Sequence, residues 1–166
     1  MTHVPPDGIT VRKAEAADSD LLLHLIVSLA EFEKLDPPDE AAQGRLVKDA
    51  FGPNPRFEVF LAEIDNEIAG YAFTFDTYST FLARPTLYLE DLFVMPQYRG
   101  QRVGYALMLY LANEAVRRDY GRMEWVVLDW NTHAQEFYKK LGARHLPDWF
   151  YYRLDREGLE KFTASE

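Results

Sequence analysis

Tyr98-Arg99-Gly100-Gln101-Arg102-Val103-Gly104-Tyr105-Ala106-Leu107 decides how this chain of 166 residues is read. The stretch follows an apolar, strand-like run, Leu87 to Val94. It opens a helix-like run, Val103 to Asp119, whose apolar face is Val103, Leu107, Tyr110, Leu111 and Ala115. Small residues at a strand-to-helix turn let backbone come close to a ligand, and the first turn of a helix has N–H groups with no internal acceptor. With the positive end of the helix dipole, those donors make a phosphate seat. No Gly-Lys-Ser/Thr follows, so this is not a nucleoside-triphosphate loop. The spacing is not Gly-x-Gly-x-x-Gly either, which disfavours a dinucleotide fold. A plain strand–loop–helix connection would use similar residues.

Outward from this loop the chain alternates strands and helices. Ile9 to Lys13 reads as a first strand. Asp18 or Ser19 can cap a helix with an apolar face of Leu22, Leu25, Ile26, Leu29 and Phe32. A second helix is predicted over Glu40 to Ala50. Phe57 to Ile64 and Ile68 to Phe75 form a hairpin about Asp65-Asn66-Glu67. Tyr78 to Pro85 reads as a loop and Leu87 to Val94 as the next strand. Gly121 is expected to end the helix after the loop. Met123 to Leu128 reads as a buried strand, Thr132 to Leu141 as a helix ended by Gly142, and Trp149 to Leu154 as a last strand before a short helix. This order predicts one α/β domain over residues 1–166, layered around a mostly antiparallel sheet flanked by helices.

Composition narrows the function. The chain has 27 acidic and 18 basic side chains, a formal net charge of −9 and no cysteine. The charge argues against general nucleic-acid binding, and suits either a cationic substrate or plain solubility. No window approaches a membrane span, Met1 to Gly8 shows no signal-peptide pattern, and disulfides and cysteine–metal sites are excluded. The expectation is a cytoplasmic protein with neither membrane nor nucleic-acid partners and no metal. A polyanionic ligand at the loop would meet local cations in Arg99 and Arg102, with Lys139 and Lys140 later in the chain.

Gln101, Gly104 and Ala106 fill the three positions of an Arg/Gln-x-x-Gly-x-Gly/Ala signature, and the loop resembles that of the GCN5-related N-acetyltransferase (GNAT) superfamily. Tyr88-Leu89-Glu90-Asp91-Leu92-Phe93-Val94, Trp130-Asn131 and Phe137-Tyr138-Lys139-Lys140-Leu141-Gly142-Ala143 resemble the spermidine/spermine and thialysine N-acetyltransferase group. The resemblance implies acetyl-CoA as donor and a sheet splayed at its site. Arg99, Gly100, Gln101, Arg102, Val103, Gly104, Tyr105 and Ala106 would cradle the pyrophosphate. The backbones of Leu92, Phe93 and Val94 would pair with the pantetheine arm, and Asn131 and Lys140 would contact the cofactor. Asn131 is equally well placed to cap a helix. A homodimer is implied as well.

Acetyl transfer needs a neutral amine and a protonated leaving thiolate. An alkyl ammonium with a pKa of ~10.4 must lose its proton, a handicap of roughly 4–5 kcal/mol at pH 7. By resemblance Glu90 is the general base or ammonium anchor, and Tyr138 the general acid. Strand alternation would turn Asp91 away from Glu90, but the resemblance implies a bulge at this point, which would upset that alternation. Phe32, Glu33, Asp91 and Trp149 complete the acceptor side, although Glu33 reads equally well as a solvated acid and Trp149 as strand core. His133 reads as an exposed helix-start residue. The stretch Tyr78 to Pro85 and Pro147 depart from the polyamine enzymes, and Arg84 could pair with the carboxylate of an amino-acid acceptor. The implied activity is acetylation of a small amine, either a diamine or polyamine or a lysine-like amino acid, by direct attack in a ternary complex. A protein or peptide acetyltransferase and a non-catalytic acyl-CoA-binding module are the alternatives.

Overall fold

The computed structural model describes residues 6–164, so most of the stretch Met1 to Gly8 lies outside the described residues. The chain forms two compact units, Met1–Val126 and Val127–Glu166. The first holds a five-stranded sheet, β1 Ile9–Lys13, β2 Glu58–Ile64, β3 Glu67–Ser79, β4 Arg84–Val94 and β5 Arg122–Trp125. Spatial order equals chain order. The first three pairings are antiparallel and β4–β5 is parallel. Asp65 and Asn66 both take left-handed backbone, at φ 51° and 65°, which turns β2 into β3 with the twist a tight hairpin needs.

Alternation along the strands sends Val59, Leu61, Tyr71, Phe73 and Phe93 to one face. There Leu22 and Leu25 of helix α1 (Ser19–Glu33) are buried, and Leu46 and Phe51 of α2 (Glu40–Phe51) pack against the same cluster. Phe60 points to the other face and meets Tyr110 of α3 (Val103–Arg117), ring centroids 5.3 Å apart. Val103, Leu107 and Leu111 are buried on that helix. Asp18 precedes α1 but does not cap it with its side chain. Its carboxylate accepts from Arg12 and from the Glu15 amide instead.

Three boundaries differ from expectation. Half of the supposed loop Tyr78 to Pro85 is strand, because β3 and β4 continue pairing out to Ser79 and Arg84 and leave only Thr80 to Ala83 as the turn. Helix α3 stops at Arg117, and Asp119, not Gly121, takes the left-handed residue at φ 57°. The Tyr120 amide then donates to the Ala115 carbonyl. Gly121 is small for another reason, since a Cβ there would lie 3.0 Å from Leu82. Finally, β5 ends at Trp125, and Val126, Val127 and Leu128 are exposed. An apolar run becomes a buried strand only where a ladder neighbour and a covering layer exist, and sequence shows neither.

The second unit contains α4 (Thr132–Lys140) and α5 (Arg156–Thr163), capped by Asn131 and Asp155. Gly142 ends α4 as expected, with φ 89° and the Ala143 amide donating to the Tyr138 carbonyl. Trp149 to Leu154 form no strand among the described residues, and Trp149, Phe150, Tyr151 and Tyr152 are exposed. The core reading of Trp149 therefore falls.

Gly70 sets how closely β3 approaches β4. A Cβ there would sit 2.4 Å from the Phe93 carbonyl oxygen. Gly70→Ala is expected to lower stability by about 1–3 kcal/mol, because backbone must move to admit it. Gly44→Ala, in the interior of α2 with nothing within 4 Å of the new Cβ, should raise it by roughly 0.5–1 kcal/mol. Urea midpoints of both variants check the pair.

Candidate active site

The end of β4 is where the candidate residues of the first unit collect. The β3–β4 register pairs Thr74 with Leu89 and Phe73 with Asp91, leaving Glu90 as an extra residue. This bulge resets the alternation. Tyr88 faces Phe75 on the α1 side of the sheet, ring centroids 5.0 Å apart. Past the bulge Asp91 and Phe93 continue on that same side, opposite Phe73 and Tyr71. Asp91 is thus not turned away from the site, as plain alternation would have it.

The buried Tyr71 hydroxyl donates to Asp91 Oδ2 at 3.2 Å. Burial, then the charge of Glu90, push the Asp91 carboxyl up to about 6, against the pull of Tyr71 and with a further push from Glu33. Glu33, in the last turn of α1, is also raised, by burial first and by Glu90 second. Glu90 itself is exposed. Three acids from α1 and β4 therefore feel one another, and none of them makes an ion pair among the described residues. Elsewhere in this unit, several half-buried acids are matched to cations. Asp18 and Glu63 hold Arg12, and Glu58 holds Lys13 and Arg118. Burial pushes Glu58 up, but its bonds from Arg118 and Lys13 outweigh that and leave it lowered.

The ladder also opens here. Strand β5 pairs with β4 only from Thr86 to Leu89, so Glu90 to Val94 have a strand neighbour on the β3 side alone. Such an edge can pair with an extended ligand. Of its residues Phe93 is buried, and Leu92 and Val94 are half-buried, so their side chains serve packing and their backbone is what an edge ligand would meet.

Just beyond, Arg99 donates from Nε to the Val94 carbonyl at 3.1 Å, and its guanidinium lies 4.8 Å from the centre of the Phe32 ring and 5.8 Å from that of Phe93. Gly100 takes φ 79° and Arg102 φ 66°, the latter a conformation that favours glycine. Arg102 sits over the Tyr105 ring at 4.7 Å, and Gln101 donates to the Gln97 carbonyl. The first intrahelical bond of α3 runs from the Ala106 amide to the Arg102 carbonyl, so the amides of Val103 and Gly104 have no acceptor within the helix. Ala106 and Val103 are buried.

Arg84 stands at the other end of β4, about 20 Å from Glu90 at strand rise. It pairs with Asp119 at 2.5 Å, which leaves an acceptor's carboxylate without that partner. In the second unit, Asn131 Oδ1 accepts from the Ala134 amide at 3.2 Å, so its cap role is formed. The rings of Phe137 and Tyr138 lie 5.3 Å apart, and burial pushes the Tyr138 phenol up to about 12, keeping it protonated at neutral pH. Lys140 and His133 are exposed. Sequence reasoning missed Tyr71. Its signal is position, an inward-facing tyrosine whose hydroxyl must find a partner once buried.

The chain belongs to the acetyltransferase (GNAT) family, whose sequence pattern matches residues 23–143. It is an acyltransferase. A thialysine N-epsilon-acetyltransferase of Mus musculus is 35% identical over 165 residues, covering 93% of this chain and 96% of that protein. An L-ornithine N5-acetyltransferase of Arabidopsis thaliana is 37% identical over 109 residues, 64% of this chain and 48% of its own length. Among solved structures, an integron cassette protein from the mobile metagenome of V. cholerae superposes with a TM-score of 0.82 at 23% identity, covering 95% of this chain and 99% of that one. Proteins of this family use acetyl-CoA as donor. No helix among the described residues is long and apolar enough to cross a membrane, and no group of three or more His, Asp or Glu side chains there could hold a metal ion.

The raised Asp91 has a consequence for stability. An acid with a folded pKa near 6 and an unfolded one near ~4 favours folding most when protonated. Its contribution is present below about pH 4 and is lost as pH rises through 6. Asp91→Asn is therefore expected to gain on the order of 1–2 kcal/mol over wild type at pH 7–8, with the gain gone near pH 4. Denaturant melts at the two pH values check this.

Proposed function

We propose that this chain transfers the acetyl group of acetyl-CoA to the primary amine of a small cationic acceptor, a diamine or polyamine or a lysine-like amino acid, by direct attack in a ternary complex. The observation that carries the reading is the acid group Glu33, Glu90 and Asp91, without an ion pair among the described residues, beside the open end of β4 in an acetyltransferase. An ammonium would supply the cation that these three lack. Relatives named for thialysine and L-ornithine support an amino-acid-like acceptor.

In this reading the amides at the start of α3, with Arg99, Gly100, Gln101 and Arg102, hold the pyrophosphate, and Leu92 to Val94 pair with the pantetheine arm. Tyr105 and Ala106 complete the turn, Lys140 adds charge, and Asn131 keeps its side-chain nitrogen for a contact beyond the cap. Glu90 anchors or deprotonates the ammonium. Tyr138 gives its proton to the departing thiolate, a role suited to a phenol that stays protonated. Phe32 and Trp149 offer aromatic faces to the cation. The whole of residues 1–166 acts as one domain, as a cytoplasmic homodimer.

The test is thiol release from acetyl-CoA with spermidine, putrescine, lysine, thialysine, ornithine and a lysine peptide. Turnover is expected on a small amine. Tyr138→Phe should lower kcat by about 100-fold or more while acetyl-CoA still binds, as measured by calorimetry. Acetyl-CoA binding with turnover on the peptide alone would replace the small-molecule reading by a protein acceptor.

A further inference from the structure

Within that acetyl-transfer reading, we propose that Asp91, held by Tyr71, takes the proton from the acceptor ammonium, with Tyr71 as its positioning residue and Glu90 as the anchor. Three geometric facts lead there. The bulge at Glu90 turns Asp91 onto the face that carries Tyr71 and Phe93, next to the end of α1. Tyr71 has no exposed surface, its hydroxyl donates to Asp91, and its ring is fixed against Phe93 at 6.3 Å between centroids. Asp91 keeps an open side, being half-buried, and no cation answers it among the described residues.

The charged and titratable groups that bear on Asp91 come from every neighbouring element. Glu33 comes from α1, Glu90 from β4 and Tyr71 from β3, and Arg99 lies over the Phe93 ring. Burial, then the charge of Asp91, raise the Tyr71 phenol, so it remains a donor throughout the working range. A single hydrogen bond from a phenol orients one carboxylate oxygen and leaves the other for the substrate. A base works best when its pKa lies near the working pH, and burial moves Asp91 to about 6.

The step balances as follows. The docked ammonium gives one proton to the Asp91 carboxylate, which becomes the neutral acid. The nitrogen lone pair forms the N–C bond to the thioester carbonyl carbon, and the C–S bond breaks with its electron pair on sulfur. The second nitrogen proton leaves as the amide forms, and the thiolate is protonated. Asp91 returns its proton to solvent, giving amide, free thiol and one released proton.

Two measurements test this. Carbon-13 titration of the Asp91 carboxyl, assigned with Asp91→Asn and done without ligand, should show a midpoint near 6 in wild type, higher by half a unit or more in Tyr71→Phe. The profile of kcat/KM against pH for the best amine should have an acid limb at the same midpoint. That limb should move up in Tyr71→Phe with the plateau kept within a few-fold. It should vanish in Asp91→Asn with a loss of 100-fold or more, and move down in Glu90→Gln, which mainly raises KM. An Asp91 titration that Tyr71→Phe leaves unmoved overturns the pairing. A limb that survives in Asp91→Asn and disappears in Glu90→Gln overturns the base assignment. No turnover on any amine, with the titration still moved, overturns the acetyl-transfer reading and leaves the Tyr71–Asp91 coupling standing.

Discussion

The β3–β4 ladder, and the one extra residue in it, is the constraint on which the candidate site depends. Ten cross-strand pairs run from Gly70–Val94 to Ser79–Arg84, and a single bulge interrupts them at Glu90. On the Arg84 side of that point β4 is an inner strand, paired with both β3 and β5. On the Val94 side it is paired with β3 alone. The bulge thus falls where the strand changes from structural member to open edge. It re-aims Asp91 toward α1 at the place where the backbone becomes able to receive a ligand. Gly70, pressed against the Phe93 carbonyl, keeps β3 close enough for this edge to hold its line.

Electrostatics divides the first unit in two. Along β1 and β2, acids and arginines neutralise one another, and Asp18 is lowered by its bond from Arg12. At the end of β4, acids are brought together with no ion pair among the described residues, and Arg99 is directed onto Phe32 and Phe93 and to the Val94 carbonyl. Burying like charges costs free energy that a paired arrangement would avoid. A fold that retains such an arrangement beside an open strand edge holds a local negative potential there. The same Arg99 joins the loop ahead of α3 to the end of α1, so the pieces that would meet donor and acceptor are mechanically linked.

The periodic parts of the fold were legible. Leu22, Leu25, Ile26 and Leu29 mark α1, and Val103, Leu107 and Leu111 mark α3, because one-sided burial writes itself into spacing. The GNAT family could be read from the Tyr98 to Leu107 stretch and the strings around it. What could not be read depends on neighbours. Trp149 to Leu154 looks like a strand by residue type but has no ladder partner among the described residues. The bulge at Glu90 is suggested by the family resemblance alone and leaves no mark of its own in Tyr-Leu-Glu-Asp-Leu-Phe, since an extra residue is defined only against the partner strand. Tyr71 and Asp91, twenty positions apart, become a pair only after that register is set. Asn131 could be read as a cap or a ligand, and the structure shows the cap.

Spatial strand order that equals chain order also bears on how the molecule assembles. Each antiparallel pairing joins strands that are adjacent in sequence, so each needs only a short closure, apart from the α1–α2 excursion between β1 and β2. The β2–β3–β4 meander can form from local contacts, which fold fast. Only the β4–β5 pairing is parallel and must wait for α3 to cross the sheet. The open edge at Glu90 to Val94 borders that late pairing. On a growing chain the rigid half of β4 and its bulge would be set before α3 and the loop that leads into it are docked. The order of synthesis then sets the wall around Glu90 and Asp91 before the loop Tyr98 to Arg102 is fixed.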